Sequence, residues 1–160
     1  MCLAVLRARK RFGQNFLVDP GMIQKIIGSF NIRPGDHIVE IGPGRGALTQ
    51  PLYDDRCDLT LIEIDRDLGA ELSVRFPDAG LINEDVMTID FNRFAKQSLI
   101  RIIGNLPYNI STPLLFKLFN FGEHIQDMHF MLQREVVDRM TALPSTKAYG
   151  RLSVMTQLHC

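Results

Sequence analysis

Apolar positions along this chain recur in two periods, and the alternation between those periods predicts the architecture before any motif is considered. Met22, Ile23, Ile26, Ile27 and Phe30 fall at helical spacing behind Asp19 and Pro20, an N-cap followed by proline at the first helical position. Pro34, Gly35 and Asp36 end that unit. Ile38, Val39 and Ile41 then form a short run rich in β-branched residues, which suits a buried parallel strand. Gly42, Pro43, Gly44, Arg45 and Gly46 break the run, and a helix is predicted from about Ala47. The rhythm continues with a strand over 59–64, a helix over 66–76, a short strand at Leu81 and Ile82, a helix over 91–97, and a strand over 99–103 ending at Gly104 and Asn105. Ser111, Thr112 and Pro113 cap a helix bearing Leu114, Leu115, Leu118 and Phe119. A strand over 128–132, a helix over 134–143, a loop over 144–150 and a helix over 151–159 follow.

This order predicts an α/β fold: a Rossmann-like parallel sheet with right-handed crossovers and helices on both faces. Ligands bind such sheets beyond the carboxyl ends of the strands, near the reversal in strand order. The first four predicted strands end in residues suited to such a site, namely Gly42 to Gly46, Glu63 to Asp65, Glu84 to Asp85, and Asn105 to Tyr108.

Composition narrows the setting. With 160 residues, 46% of them hydrophobic, the chain has apolar material for one core and one domain, 1–160. No run approaches the ~20 apolar residues of a membrane helix, and the start does not resemble a secretory signal, so a cytoplasmic protein without membrane contact is expected. Cys2, Cys57 and Cys160 are widely spaced and read as free thiols; no metal site is expected. Eighteen basic and eighteen acidic residues cancel, but unevenly. Arg7, Arg9, Lys10 and Arg11 form a basic arm, either a phosphate-contacting segment or a solvated terminus, whereas residues 54–90 hold eleven acids against Arg56, Arg66 and Arg75.

The glycine turn lets backbone and ligand approach closely, and the amides of a following helix favour a negative group. Glu63, twenty-one residues beyond Gly42, stands near the spacing at which an acid accepts hydrogen bonds from ribose hydroxyls. Gly42-x-Gly44-x-x-Ala47 also fits the dinucleotide fingerprint, so an NAD-linked oxidoreductase competes with other nucleoside-cofactor readings. Asn105-Leu106-Pro107-Tyr108 separates them. Asn105 and a backbone carbonyl can accept from both N–H groups of an adenine amine and so localise its lone pair; Pro107 stiffens the turn, and Tyr108 offers a face on which a base can stack.

With these residues in view, the chain closely resembles the S-adenosylmethionine-dependent rRNA adenine N6,N6-dimethyltransferases of the KsgA type. The resemblance runs from Arg9 to the last residue. It rests on Arg11-Phe-Gly-Gln-Asn-Phe-Leu17, Val39-Glu-Ile-Gly-Pro-Gly44, Ile62-Glu-Ile-Asp-Arg-Asp67, Gly104-Asn-Leu-Pro-Tyr-Asn-Ile-Ser-Thr-Pro113, Met128-His-Phe-Met-Leu-Gln133 and Lys147-Ala-Tyr-Gly-Arg-Leu-Ser-Val154.

The resemblance implies transfer of methyl groups to N6 of two adjacent adenosines in the 3′-terminal hairpin of small-subunit rRNA, with the 30S-type ribosomal particle as partner. It implies that Gln14, Asn15 and Leu17 close over S-adenosylmethionine, that Gly42 and Gly44 pass its methionine part, that Glu63 holds the ribose and Asp85 the adenine amino group. Asn105 would touch both cofactor and target within the catalytic segment Asn105, Leu106, Pro107 and Tyr108. Family members continue through further strands and a helical rRNA-binding domain. The 160 residues are therefore expected to form a catalytic domain incomplete at its C-terminus, to bind cofactor without useful methylation, and to expose the fifth strand as an edge open to self-association. A non-catalytic rRNA-binding assembly factor is the remaining alternative.

Overall fold

The computed structural model describes residues 16–55, 57–94 and 99–160. Gln14, Asn15 and the basic arm Arg7 to Arg11 lie outside the described residues. Helix α1 (Pro20–Phe30) starts where Asp19 accepts a hydrogen bond from Met22 N–H at 2.9 Å, and it stops where Asn31 turns left-handed at φ 51°. The chain then runs through β1 (His37–Ile41), α2 (Thr49–Asp54), β2 (Asp58–Ile62), α3 (Arg66–Arg75), β3 (Gly80–Ile82), β4 (Ile100–Asn105), α4 (Ser111–Phe119), β5 (Ile125–Met131), α5 (Arg134–Met140) and α6 (Arg151–His159).

All five strands pair in parallel, in the order β3-β2-β1-β4-β5. The order reverses at β1, which pairs with β2 on one side and β4 on the other. Alternate β1 side chains face opposite layers. Val39 and Ile41 pack with Ile62, Ile100 and Ile102 beneath Leu114 and Leu118 of α4. Ile38 packs with Leu59, Leu61 and Ile103 beneath Phe30, Leu52 and Leu72 of α1, α2 and α3. A satellite cluster joins Leu115 and Phe119 of α4 to Val136 of α5 and Leu152 of α6.

Several boundaries differ from the sequence expectation. The helix expected from Ala47 begins at Thr49, because positive φ values at Gly42, Gly44 and Gly46 keep the chain in turns until the last glycine is passed. Of the segment expected as a helix over 91–97, residues 95–97 lie outside the described residues, and Phe91–Phe94 form a 3-10 turn whose two phenylalanine rings are buried in the core. The second strand ends at Ile62, so Glu63 stands on the connection beyond it, although its N–H still donates to Ile82 C=O at 3.0 Å. The helix expected over 134–143 ends at Met140.

One buried cation organises the amino end of the sheet. Arg101 of β4 donates to Asp36 at 2.6 Å, to Asp127 of β5 at 2.7 Å and to the carbonyls of Phe30 and Asn31, and its guanidinium lies 4.2 Å from the Phe30 ring centroid. Burial opposes ionisation of Asp36, but the Arg33 N–H and the Arg101 guanidinium outweigh it and hold the carboxyl below its ordinary range. The end of α1 is thereby tied to two strands.

At the opposite end, β1 and β4 meet where Gly104 pairs with Ile41. A Cβ on Gly104 would collide with the Ile41 carbonyl oxygen, a backbone atom that cannot rotate away. Gly104→Ala is expected to lower stability by about 1–3 kcal/mol, the usual range for overpacking. Chemical denaturation of wild type and variant checks this, and an unchanged midpoint would show that the strands part freely here.

Candidate active site at the strand ends

A cavity of about 350 Å³ opens beyond the carboxyl ends of β1 to β4. Gly42, Pro43, Gly44 and Arg45 line it from the turn after β1, Glu63 and Ile64 from the end of β2, Glu84, Asp85 and Val86 from the loop after β3, and Asn105, Leu106 and Pro107 from the end of β4. Leu17 closes one side. The structure thus brings Leu17, Gly42, Gly44, Glu63, Asp85, Asn105, Leu106 and Pro107 to one cavity. Tyr108 is not among the lining residues; it stands 55% exposed on the next turn outward.

Glu63 is the joint between the first two strand ends. Its Oε2 accepts from Gly44 N–H at 3.0 Å and its Oε1 from Asp65 N–H at 2.9 Å, so the carboxylate is fixed in orientation. Burial raises its pKa, and the amides of Asp65 and Gly44 pull in the opposite direction without cancelling that effect. The Glu63 carbonyl is held in turn by Asn83 Nδ2 at 2.6 Å. The Gly44 amide is thus committed to Glu63, and the amides of α2, the helix expected to favour a negative group, begin only at Thr49.

The loop after β3 is closed by its own side chain. Asp85 Oδ1 accepts from Met87 N–H at 2.9 Å, and the Asp85 carbonyl accepts from Thr88 N–H at 2.9 Å. On the fourth strand end, Leu106 is buried and its N–H donates to Met131 C=O, so the segment is anchored to β5. Pro107 C=O accepts from Ser111 Oγ at 2.9 Å and from Ile110 N–H at 3.2 Å, which joins the turn to the start of α4.

Phe16 and Glu40 are among the lining residues that escaped the sequence reading as site residues. Phe16 packs its ring where a Cβ on Gly44 would come within 3.2 Å, and the Arg45 guanidinium lies 4.8 Å from the ring centroid. That contact explains the glycine at 44, where φ is also +57°, but nothing in the local sequence pairs residue 16 with residue 44. Glu40 had a signal, since it is a charge inside the apolar run Ile38 to Ile41. It is 2% exposed, accepts from Thr49 Oγ1 at 2.7 Å and lies beneath the glycine turn. Burial pushes its pKa up from an ordinary 4.5 to about 8; the Thr49 hydroxyl moderates the rise and the Glu63 charge adds to it.

Comparison with known proteins bears on this site. A family model described as "Ribosomal RNA adenine dimethylase" matches residues 5–160. "Ribosomal RNA small subunit methyltransferase A" of Acinetobacter baylyi (strain ATCC 33305 / BD413 / ADP1) is 58% identical over 158 residues, covering 96% of this chain and 58% of that protein. The chain thus spans less than two thirds of the length of this curated relative. Among solved structures, a dimethyladenosine transferase from Plasmodium falciparum is similar with a TM-score of 0.75 at 29% identity, covering 90% of this chain and 52% of that one. The 23S rRNA methyltransferase ErmE gives 0.71 at 28% identity, covering 89% and 57%.

The raised pKa of Glu40 gives a testable pH dependence. A carboxyl whose folded pKa lies above its unfolded value contributes stability that is fully present below about 4.5 and is lost as pH rises through about 8. Glu40→Gln removes that titration while keeping an acceptor for Thr49. Thermal melts across this interval should therefore fall more steeply with pH for wild type than for the variant, and parallel curves would show that Glu40 titrates normally.

Proposed function

Because the chain belongs to the ribosomal RNA adenine dimethylase family, we propose that its cavity binds S-adenosylmethionine and that the protein methylates N6 of adenosines in small-subunit rRNA. The finer reading is two adjacent adenosines of the 3′-terminal hairpin, each methylated twice within a 30S-type particle. The observation that carries this reading is the convergence of a fixed carboxylate, Glu63, with Asp85 and the Asn105-Leu106-Pro107 segment around one cavity at the sheet's reversal point. The NAD-linked alternative rests on the glycine turn alone, whereas the whole set matches an adenine methyltransferase.

The residues suit such a ligand. Glu63 is oriented by backbone amides, and its carboxylate is an acceptor for ribose hydroxyls. Asp85 has one oxygen committed to Met87 N–H, so the other is what an adenine amino group would meet. The turn of Gly42 and Gly44 would pass the methionine part, with Phe16 packed on Gly44 and Leu17 closing over it; Gln14 and Asn15 would extend that cover. Once bound, S-adenosylmethionine supplies a methyl group on a sulfonium, which needs alignment with the nucleophile more than it needs a strong base.

Asn105 and a neighbouring carbonyl accept from the target amine and direct its lone pair. Pro107 holds the turn stiff, and exposed Tyr108 stacks on a base extruded from the RNA, a contact worth ~1–3 kcal/mol. A flipped base also needs an opposite wall and phosphate contacts. Among the described residues Tyr108 is the exposed ring beside the cavity, and residues 1–160 are proposed to retain cofactor yet to turn over slowly, and to self-associate through β5 at the edge of the described sheet.

Calorimetric titration tests the cofactor. Wild type should bind S-adenosylmethionine and not NAD, and Glu63→Ala and Asp85→Ala should each weaken binding by roughly 1–3 kcal/mol, the cost of unpaired buried polar groups. Unchanged affinity in both variants would remove these residues from the site.

Methyl transfer to small-subunit particles, assayed in a version carrying the remaining length of its relatives, tests the chemistry. Asn105→Ala and Tyr108→Ala should reduce turnover strongly, whereas Tyr108→Phe should keep most of it because stacking uses the ring face. Equal damage from both Tyr108 variants would assign the hydroxyl a role instead.

A further inference from the structure

Lys117 lies on α4, nine residues beyond Tyr108, yet its ammonium group is spent on a different strand end. Its Nζ donates to the carbonyls of Val86 at 3.1 Å and Met87 at 2.8 Å, and it lies 5.5 Å from the Phe91 ring centroid. These are the two residues that follow Asp85, and Val86 itself lines the cavity. The loop is therefore held twice. Asp85 Oδ1 closes it from within through Met87 N–H, and Lys117 fixes the outer carbonyls from a helix that begins at the Asn105-to-Tyr108 turn.

Neutral side chains could fill this place more cheaply. Burial lowers the pKa of Lys117, opposed only in part by the charges of Asp85 and Asp90. A partly desolvated cation facing two carbonyls positions a loop with charge-assisted bonds, which are shorter and stronger than neutral ones. Of the two acids whose charges act on Lys117, Asp85 and Asp90, Asp85 lines the cavity.

We propose that Lys117 is a specificity-determining positioning residue, holding the Asp85–Met87 loop so that Asp85 meets the 6-amino group of the cofactor's adenine and rejects a 6-oxo base. This rests on the reading of the cavity as an S-adenosylmethionine site. A carboxylate oxygen accepts from an amino group, whereas a 6-oxo group offers it a second acceptor and leaves both unpaired. Discrimination of that kind depends on where the carboxylate sits, because it fails once the acid can turn to solvent.

The experiment compares the affinities of S-adenosylhomocysteine and S-inosylhomocysteine, which differ in the 6-substituent and in the proton that the 6-oxo base carries on N1, for wild type, Lys117→Met, Lys117→Arg, Asp85→Asn and the Lys117→Met/Asp85→Asn double variant. Wild type is expected to prefer the adenine ligand by roughly tenfold or more. Lys117→Met should lose most of that preference, chiefly through weaker binding of the adenine ligand. Lys117→Arg should restore it, since a guanidinium can also donate to two carbonyls. The double variant should discriminate no less than Asp85→Asn alone. If Lys117→Met melts too low for titration, Lys117→Gln, whose amide is shorter and uncharged, takes its place with the same expectation.

A preserved ratio in Lys117→Met, or an equal weakening of both ligands, would reduce Lys117 to a general stabiliser and overturn the assignment while leaving the site reading intact. Binding of neither ligand by wild type would overturn the site reading, and the assignment with it.

Discussion

The close approach of β1 and β4 is the constraint on which the rest of the structure depends. Gly104 lies opposite Ile41 with no room for a side chain, and this pair stands at the sheet's reversal, immediately before the glycine turn on one strand and Asn105 on the other. Because the helices that follow these strands pack on opposite faces, the chains diverge beyond the pair and leave a crevice. The cavity is a consequence of that divergence. Its floor is as well defined as the backbone contact beneath it.

Polar groups were buried to stiffen this crevice. Glu63 draws the end of β2 against the glycine turn, and Asn83 holds the Glu63 carbonyl from the connection after β3. Lys117 ties that same connection to α4, whose first turn is joined to Pro107 through Ser111. Each of the four strand ends is thus bonded to another, so a ligand meets a rim that is already ordered and loses less entropy on binding. The Glu40 carboxyl, bonded to Thr49 Oγ1, is buried beside the same turn, and that burial raises its pKa. At the far end of the sheet Arg101 does the comparable work of fixing α1 to β4 and β5. A cation bonded to two carboxylates and two carbonyls there has little left unsatisfied.

Family membership and geometry bear on different parts of the reading. The match over residues 5–160 and the relatives' names concern what kind of enzyme this chain belongs with. The geometry concerns how particular atoms can contribute: a carboxylate oriented by two amides, an acid held within a braced loop, a tyrosine ring facing solvent. Tyr108 illustrates the division. It stands exposed and outside the cavity lining, and the base-stacking role proposed for it uses that exposed face.

The sequence by itself determined the strand and helix order, the parallel sheet and the gathering of Gly42, Gly44, Glu63, Asp85 and Asn105 at strand ends. It could do so because burial on both faces forces unbroken apolar runs, and turns between them require glycine, proline and polar residues. The limits of that logic are also local. Hydrophobic spacing did not separate a 3-10 turn from an α-helix at Phe91–Phe94, where two phenylalanines plug the core, and it started α2 two residues early because it does not register the left-handed glycines that delay a helix. Only the tertiary structure decided that Phe16 lies on Gly44, that Glu63 consumes the Gly44 amide, and that Lys117 braces the loop of Asp85. Each joins residues 19 to 31 positions apart in the chain, or 28 in the case of Phe16 and Gly44, and no periodicity encodes such pairs. They exist because the sheet's strand order sets those segments side by side.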